Sequence, residues 1–281
     1  RRGAMEAVLA ELDSEVRLEQ AQVDFYRENG FLVVRGLLSP PLLRHYGGVI
    51  TQKVLELNNQ HKPMHERTTY EKAFLQVTNI FRESEEVAHF VMGKRLASVA
   101  AQLMGKAGVR LYHDQALYKE PSGGKTPWHV DQYYWPLASE KSVTAWVPLQ
   151  ETPVCMGPLA FAAKSHLSEV GSSRTLQISD ESEATIQGLI ADHGFAHVEE
   201  AFSLGDVSFH SGWTLHHAGP NAGSEARRVM TVIYMDEEMR LATPLHADQE
   251  RDREAFCSGI AVGDVIASPL NPVIYSAKST S

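Results

Sequence analysis

Trp128-His129-Val130-Asp131 is the stretch of this chain most plainly equipped for chemistry. In extended backbone, successive side chains point to opposite faces, so residues two apart share one. His129 and Asp131 therefore project together, an imidazole beside a carboxylate, with Val130 turned away. They are two of the three ligands of the 2-His-1-carboxylate facial triad, which holds a non-haem Fe(II) and leaves neighbouring positions open. A His-x-Asp pair arises often by chance. It gains meaning only if the chain adds a third ligand, a co-substrate anchor and a scaffold that joins them.

Two later stretches offer candidates. Gly205 to Asn221 carries His210, His216 and His217. Adjacent strand residues face oppositely, so at most one of His216 and His217 can look toward a metal, and the period does not choose between them. Ala226 to Tyr234 is an apolar strand opened by Arg227 and Arg228. An inward-facing Arg needs an anionic partner, because an unpaired buried charge is costly. A carboxylate of the protein or of a ligand would serve, and the planar guanidinium suits either.

The elements that must position these residues change period along the chain. Val16 to Asn29 reads as an amphipathic helix stopped by Gly30, and Phe31 to Val34 as a short strand. Ser39-Pro40-Pro41 starts a helix that runs to Leu57. His61 to Thr69 reads as a loop and Phe74 to Ile80 as a strand. A further helix is expected from Ser84 to Met104, weakened in the middle by Gly93. From residue 109 to 235 the chain becomes short β-type runs punctuated by Gly and Pro, with a helical insertion over Ser179 to His193. Residues 236 to 267 read as irregular or helical, and Pro269 to Ser276 as a packed extended tail. Helices over roughly 16–104 followed by strands over roughly 109–235 predict a mainly β fold with flanking helices, a jelly roll. Arg1 to Ala4, before Met5, reads as a vector-derived remnant, and residues 5–281 as one domain.

Composition narrows the function classes. The formal charge is −9, from 26 basic and 35 acidic residues, and no Lys/Arg cluster offers a phosphate-binding face. Nucleic acid is therefore not the expected partner. No apolar run is long enough to span a membrane, and no secretory leader is apparent. Cys155 and Cys257 lack metal-type spacing and read as reduced thiols of a cytoplasmic protein.

Taken in order, His129-x-Asp131, Trp146-x-Pro148-Leu149, Gly157-Pro158-Leu159, Ser165-His166, Gly205-Asp206 and Leu215-His216-x-x-Gly219-Pro220-Asn221 resemble the phytanoyl-CoA dioxygenase family of Fe(II)/2-oxoglutarate oxygenases. Gly30 to Leu38 is similar to that family's opening strand and turn, so the resemblance runs from about residue 18 to about residue 235. It implies a double-stranded β-helix of cupin-like type. It also implies Fe(II), 2-oxoglutarate and O2 as cofactor and co-substrates, with succinate and CO2 released. His129, Asp131 and His216 are implied as iron ligands, and Arg227 as the grip on the distal carboxylate of 2-oxoglutarate. Trp146, Gln115 and Thr144 are implied around that co-substrate, and Arg228 should face away. The chain departs from the pattern at His217, at Ala218 and at Lys164, where a small residue, a hydroxyl residue and Gly are usual. A carboxylate at Asp131 argues for oxygenation over halogenation, since related halogenases leave that place to chloride.

Substrate choice should fall to Tyr133, Tyr134 and Trp135, to Trp213 and to the loop His61 to Tyr70. An aromatic lip favours a small, partly apolar substrate over an acyl-CoA, although Lys119, Lys125 and Lys141 lie near the site in sequence. The alternatives are a non-catalytic cupin-like metal or small-molecule binding protein and a metal-dependent hydrolase or isomerase. The intact triad with Arg227 counts against the first, and the second gives Arg227 no task.

Overall fold

A computed structural model describes residues 2–168 and 178–278. Helix α1, Arg2–Leu12, includes the residues 2–4 read as a remnant, and it was not anticipated. Helix α2, Gln20–Asn29, starts later than the pattern suggests, because a reciprocal Glu19–Gln22 capping box closes its first turn. Gly30, at φ +84°, ends it. Strand β1 is Phe31–Val34. Helix α3, Pro40–Leu57, starts as expected: the Ser39 hydroxyl accepts from the Leu42 N–H, and prolines fill the first two positions. Helix α4 is Thr69–Ala73 and strand β2 is Leu75–Thr78.

The single helix expected from Ser84 to Met104 is in fact two, α5 (Glu85–Val91) and α6 (Lys94–Met104). The break at Gly93 serves a close approach. A Cβ there would lie 2.7 Å from Leu12 Cδ1 and 3.2 Å from the Leu12 carbonyl oxygen. The end of α1 thus docks on bare backbone, a long-range contact that local periodicity does not encode.

The strands continue as β3 (Gly108–Tyr118), β4 (Thr126–His129), β5 (Ser142–Pro148), β6 (Leu159–Ala162), β7 (His197–Glu199), β8 (Val207–Ser211), β9 (His216–Ala218), β10 (Val229–Asp236) and β11 (Val273–Ser276). Helix α7, Asp180–His193, sits between β6 and β7, capped by Ser179. Helix α8, Ala247–Phe256, follows β10. The major sheet runs β1-β8-β5-β10-β3-β11, with β2 also on β3, and the minor sheet runs β4-β9-β6-β7. All their pairings are antiparallel, and the two sheets form a jelly roll. Phe31, Trp146 and Val229 of the major sheet meet Leu159 and Phe161 of the minor sheet.

The major sheet is covered on both faces, so β5 and β10 are buried at every residue. Val143, Ala145 and Val147 pack outward with α3 and α6, and Thr144 and Trp146 turn inward. In β3 a bulge opposite Ile233/Tyr234 interrupts the alternation. It puts Tyr112 and His113 together on the inner side, a common use of bulges beside functional sites. Among the described residues no helix is long and apolar enough to cross a membrane.

Leu12 is 1% exposed. Leu12→Ala should therefore cost about 2–5 kcal/mol, as large-to-small core changes do. A denaturant midpoint unchanged from wild type would show that α1 is not part of the cooperative fold.

Candidate active site

His129 and His216 face one another directly across the β4/β9 pair. Strand β4 ends at His129, but Val130 stays extended (φ −118°, ψ 138°), so Asp131 keeps the face of His129. Asp131 then opens a 3-10 turn through Tyr134. That turn is locked: Gln132 N–H donates to the Gly212 carbonyl at 2.9 Å, and Ser142 Oγ donates to Gln132 Oε1 at 2.8 Å.

Asp131 Oδ1 lies 3.4 Å from His129 Nε2 and 3.3 Å from His216 Nε2. Ligands adjacent around an ion bound at roughly 2.0–2.1 Å sit about 3 Å apart, so the spacing suits one cation. The ring orientation suits it too. His129 Nδ1 contacts the Pro127 carbonyl at 2.8 Å and His216 Nδ1 the Thr214 carbonyl at 2.9 Å. A carbonyl only accepts, so each Nδ1 carries the proton and each Nε2 lone pair is free to coordinate. Burial and the neighbouring His216 hold His129 below the usual imidazole range. Burial pushes the Asp131 carboxyl up, but His216, His129 and His210 outweigh it and keep it well below the usual carboxylate range. Two imidazoles and one carboxylate are the donor set that a non-haem Fe(II) site requires.

The structure separates the two candidate histidines. His216 joins His129 and Asp131, whereas His217 turns to the outer face and packs against Trp128, ring centroids 4.0 Å apart. His210, left without a role by the sequence, is 2% exposed, and its Nε2 donates to Asp131 Oδ2 at 2.9 Å. It occupies the oxygen that does not face the other two rings, and so fixes the carboxylate plane. The inward phase of β8 was the only available signal for it.

Beside these groups lies a cavity of about 510 Å³. Arg227 lies at its inner end, 2% exposed. Its Nη1 donates to the Gly157 carbonyl at 2.7 Å, its guanidinium lies 5.3 Å from the Trp146 ring centre, and its Nε has no partner. No carboxylate among the described residues pairs with it, and burial pulls its pKa down to about 9. Gly157 makes this contact possible: at φ +73° a Cβ would sit 2.3 Å from the Gly219 carbonyl oxygen. Arg228 faces away, onto Gln150, as expected. Thr144 and Gln115 both line the cavity. Thr144 Oγ1 is buried without a partner, and Gln115 Oε1 accepts from Gln76 Nε2 at 2.7 Å. Lys119 is fully buried, donating to the Gly219 carbonyl at 2.7 Å, so it cannot meet a phosphate in solvent.

The outer half of the cavity is lined by Tyr70, His113, Tyr134, Trp135, Asp252 and Phe256, among others. Tyr133 and Trp213 are not in that lining. Tyr133 stacks on His246 at 4.3 Å and Trp213 packs beside Trp128 and Leu215. The α8 contribution was missed, because its sequence, Ala-Asp-Gln-Glu-Arg-Asp-Arg-Glu-Ala-Phe, is charged all round. Asp252 accepts from the Tyr112 hydroxyl at 2.8 Å, and burial raises its pKa to about 7.

The phytanoyl-CoA dioxygenase family model matches residues 26–229. The chain is 25% identical over 175 residues to a probable alpha-ketoglutarate-dependent hypophosphite dioxygenase of Stutzerimonas stutzeri, covering 59% of this chain and 60% of that one. It is 23% identical over 234 residues to the peroxisomal phytanoyl-CoA dioxygenase of Bos taurus, covering 78% and 69%. The match thus spans about three fifths of the first relative's length. In fold it resembles the epimerase SnoN in complex with Fe3+, alpha ketoglutarate and nogalamycin RO. That likeness has a TM-score of 0.76 and 22% identity, covering 91% of this chain and 98% of that one.

Removing the hydrogen bond to Asp131 by His210→Ala should weaken Fe(II) binding about 10–100-fold, as loss of a partner to a metal ligand does. His217→Ala should leave Fe(II) bound; equilibrium dialysis measures both, and loss of the metal in His217→Ala would reverse the assignment of the two histidines. Burial and Arg227 depress Lys119 from 10.5 to about 6. Between those values the unfolded chain binds the extra proton, so this group makes the fold more stable as pH rises. Lys119→Met should flatten the rise in melting temperature above pH 6, and an unchanged pH profile would contradict the buried neutral amine.

Proposed function

The chain belongs to the phytanoyl-CoA dioxygenase family, and from that membership we propose that it is a non-haem Fe(II)- and 2-oxoglutarate-dependent dioxygenase that oxidises a small molecule. One observation carries the reading. An open two-His, one-Asp donor set and a buried Arg227 with an unpaired Nε line the same cavity. The first calls for a cation and the second for an anion, and 2-oxoglutarate bound to iron answers both.

Iron held by His129, Asp131 and His216 would supply the O2 chemistry that couples decarboxylation of 2-oxoglutarate, to succinate and CO2, with two-electron oxidation of the substrate. The rest is the work of the chain's own side chains. His129 and His216, their Nδ1 atoms held by backbone carbonyls, present Nε2 to the ion, and Asp131 adds the negative charge that favours a divalent cation. Arg227 grips the distal carboxylate of 2-oxoglutarate, donating from the nitrogen that otherwise has no acceptor. Thr144 Oγ1, equally without a partner, donates to the same carboxylate. Trp146 walls the pocket and holds the guanidinium plane, and Gln115 borders the co-substrate. Leu117 and Leu159 keep water from this inner half.

The substrate occupies the outer half. Aromatic Tyr70, Tyr134, Trp135 and Phe256 cover apolar surface, while Asp252 and Gln76 offer polar contacts. This favours a partly apolar small molecule with hydroxyl or amine groups over an acyl-CoA. The relatives carry names that point to small molecules, from hypophosphite to nogalamycin RO.

Purified protein supplied with Fe(II), ascorbate and 2-oxoglutarate should release succinate, slowly alone and faster with a matching member of a metabolite panel. Arg227→Ala should raise the KM for 2-oxoglutarate by about ten-fold or more, as loss of a charge-assisted contact worth roughly 1.5–3 kcal/mol demands. No succinate and no 2-oxoglutarate binding would sink the enzyme reading.

A further inference from the structure

On the outer face of the minor sheet, His197, Glu199 and His217 bring one donor atom each within 4.8 Å of one another. They come from β7 and β9, which are not neighbours: β6 runs between them. Two strand spacings are about 9.5 Å, so the rings must reach across β6 to meet. They can because β6 presents only Ala160 and Ala162 on that face, paired with Glu199, His217 and His197. A longer side chain at either alanine would stand between the imidazoles.

The two rings converge through the same nitrogen. His197 Nε2 lies 2.8 Å from His217 Nε2 and 3.8 Å from Glu199 Oε2. Two imidazole nitrogens at that distance share one proton, and a metal ion can replace it. Tetrahedral ligands bound at roughly 2.0 Å are about 3.3 Å apart, so the two nitrogens need separate by only about half an ångström. A second observation shows that they are held in place. Trp128 packs against His217 at 4.0 Å with the ring planes tilted by 33°, and it meets His197 edge-on at 5.7 Å. Ordering the rings in advance lowers the entropy cost of binding. The side chains of His197 and Glu199 are 47% and 28% exposed, which leaves the outer positions to water.

We propose that His197, Glu199 and His217 form a second metal site, separate from the inner donor set and suited to a borderline divalent ion such as Zn2+. Two imidazoles and one carboxylate suit that class. Binding releases the shared proton to solvent and ties edge strand β7 to β9, the strand whose next residue inward is His216. The site takes no part in O2 chemistry, since it lies on the opposite face of β9 from Asp131.

Equilibrium dialysis of iron-free protein against Zn2+, with bound metal measured by mass spectrometry, tests it. The full chain should take up one more equivalent than either His197→Ala or His217→Ala. His129→Ala should retain the outer equivalent, and His129→Ala/His197→Ala should bind none. A zinc-edge anomalous map of the wild-type crystal should place a peak between the two Nε2 atoms. Unchanged circular dichroism of His197→Ala, a substitution at an exposed edge residue, keeps loss of metal distinct from loss of fold. Equal uptake by wild type and His197→Ala overturns the proposal, as does loss in only one of the two single variants.

Discussion

Arg227 keeps its guanidinium out of water with no carboxylate among the described residues against it, and much of the inner architecture follows from that arrangement. An unpaired buried charge is among the costliest features a fold can retain. Here the cost is met in part by carbonyls. The Gly157 oxygen takes one Nη, and the Trp146 ring spreads beneath the group. The turn that supplies that carbonyl needs Gly157 in the left-handed region, pressed against Gly219. The Gly-Pro-Leu turn and the Gly-Pro-Asn segment after His216 therefore serve one purpose: they close the backbone around a cation that the protein leaves incompletely satisfied.

The same strands bear two loads. β5 and β10 face helices on one side and the cavity on the other, so their sequences read as unbroken apolar runs in which the few polar residues are informative. Thr144 and Thr231 are such residues, and both line the cavity. The minor sheet divides its labour in the same way. His129 and His216 look in, while Trp128 and His217 look out and pack together. A shift of one residue in the β4/β9 register would exchange the sets. The His129–His216 pairing is thus a structural constraint before it is a chemical one.

Period-two alternation made the pairing of His129 with Asp131 legible in the sequence, and it survives even though β4 stops at His129, because Val130 remains extended. The order of turn motifs made the family and the jelly roll legible. Lys164 is instructive: it stands where Gly is usual and keeps the positive φ, +71°, that glycine would adopt without strain. What stayed hidden depends on distant contacts. The break at Gly93 exists for Leu12, some eighty residues earlier in the chain. The bulge that turns Tyr112 and His113 to one side is set by β10. Helix α8 shows no apolar stripe, because the face it turns to the cavity carries Asp248, Arg251 and Asp252. The role of His210 required knowing which oxygen of Asp131 was left over.

Lys119 adds a last constraint. It bridges directly to Arg227 in the backbone, N–H to carbonyl in both directions at 2.9 and 2.8 Å, so two basic side chains are tied to one rung of antiparallel structure. Both are buried, and each pKa is pulled down, that of Lys119 by Arg227 as well as by burial. Arg227 stays the more basic of the two and is the one that holds its positive charge. That charge, set at the inner end of the cavity with Asp131 and its ring of histidines also lining it, polarises the cavity along its length. An anionic ligand entering with one end toward Arg227 and a chelating end toward the histidines would be oriented by that field before making contact. The orientation comes from the two residues that cost the empty fold most, which ties the stability of this interior to what fills it.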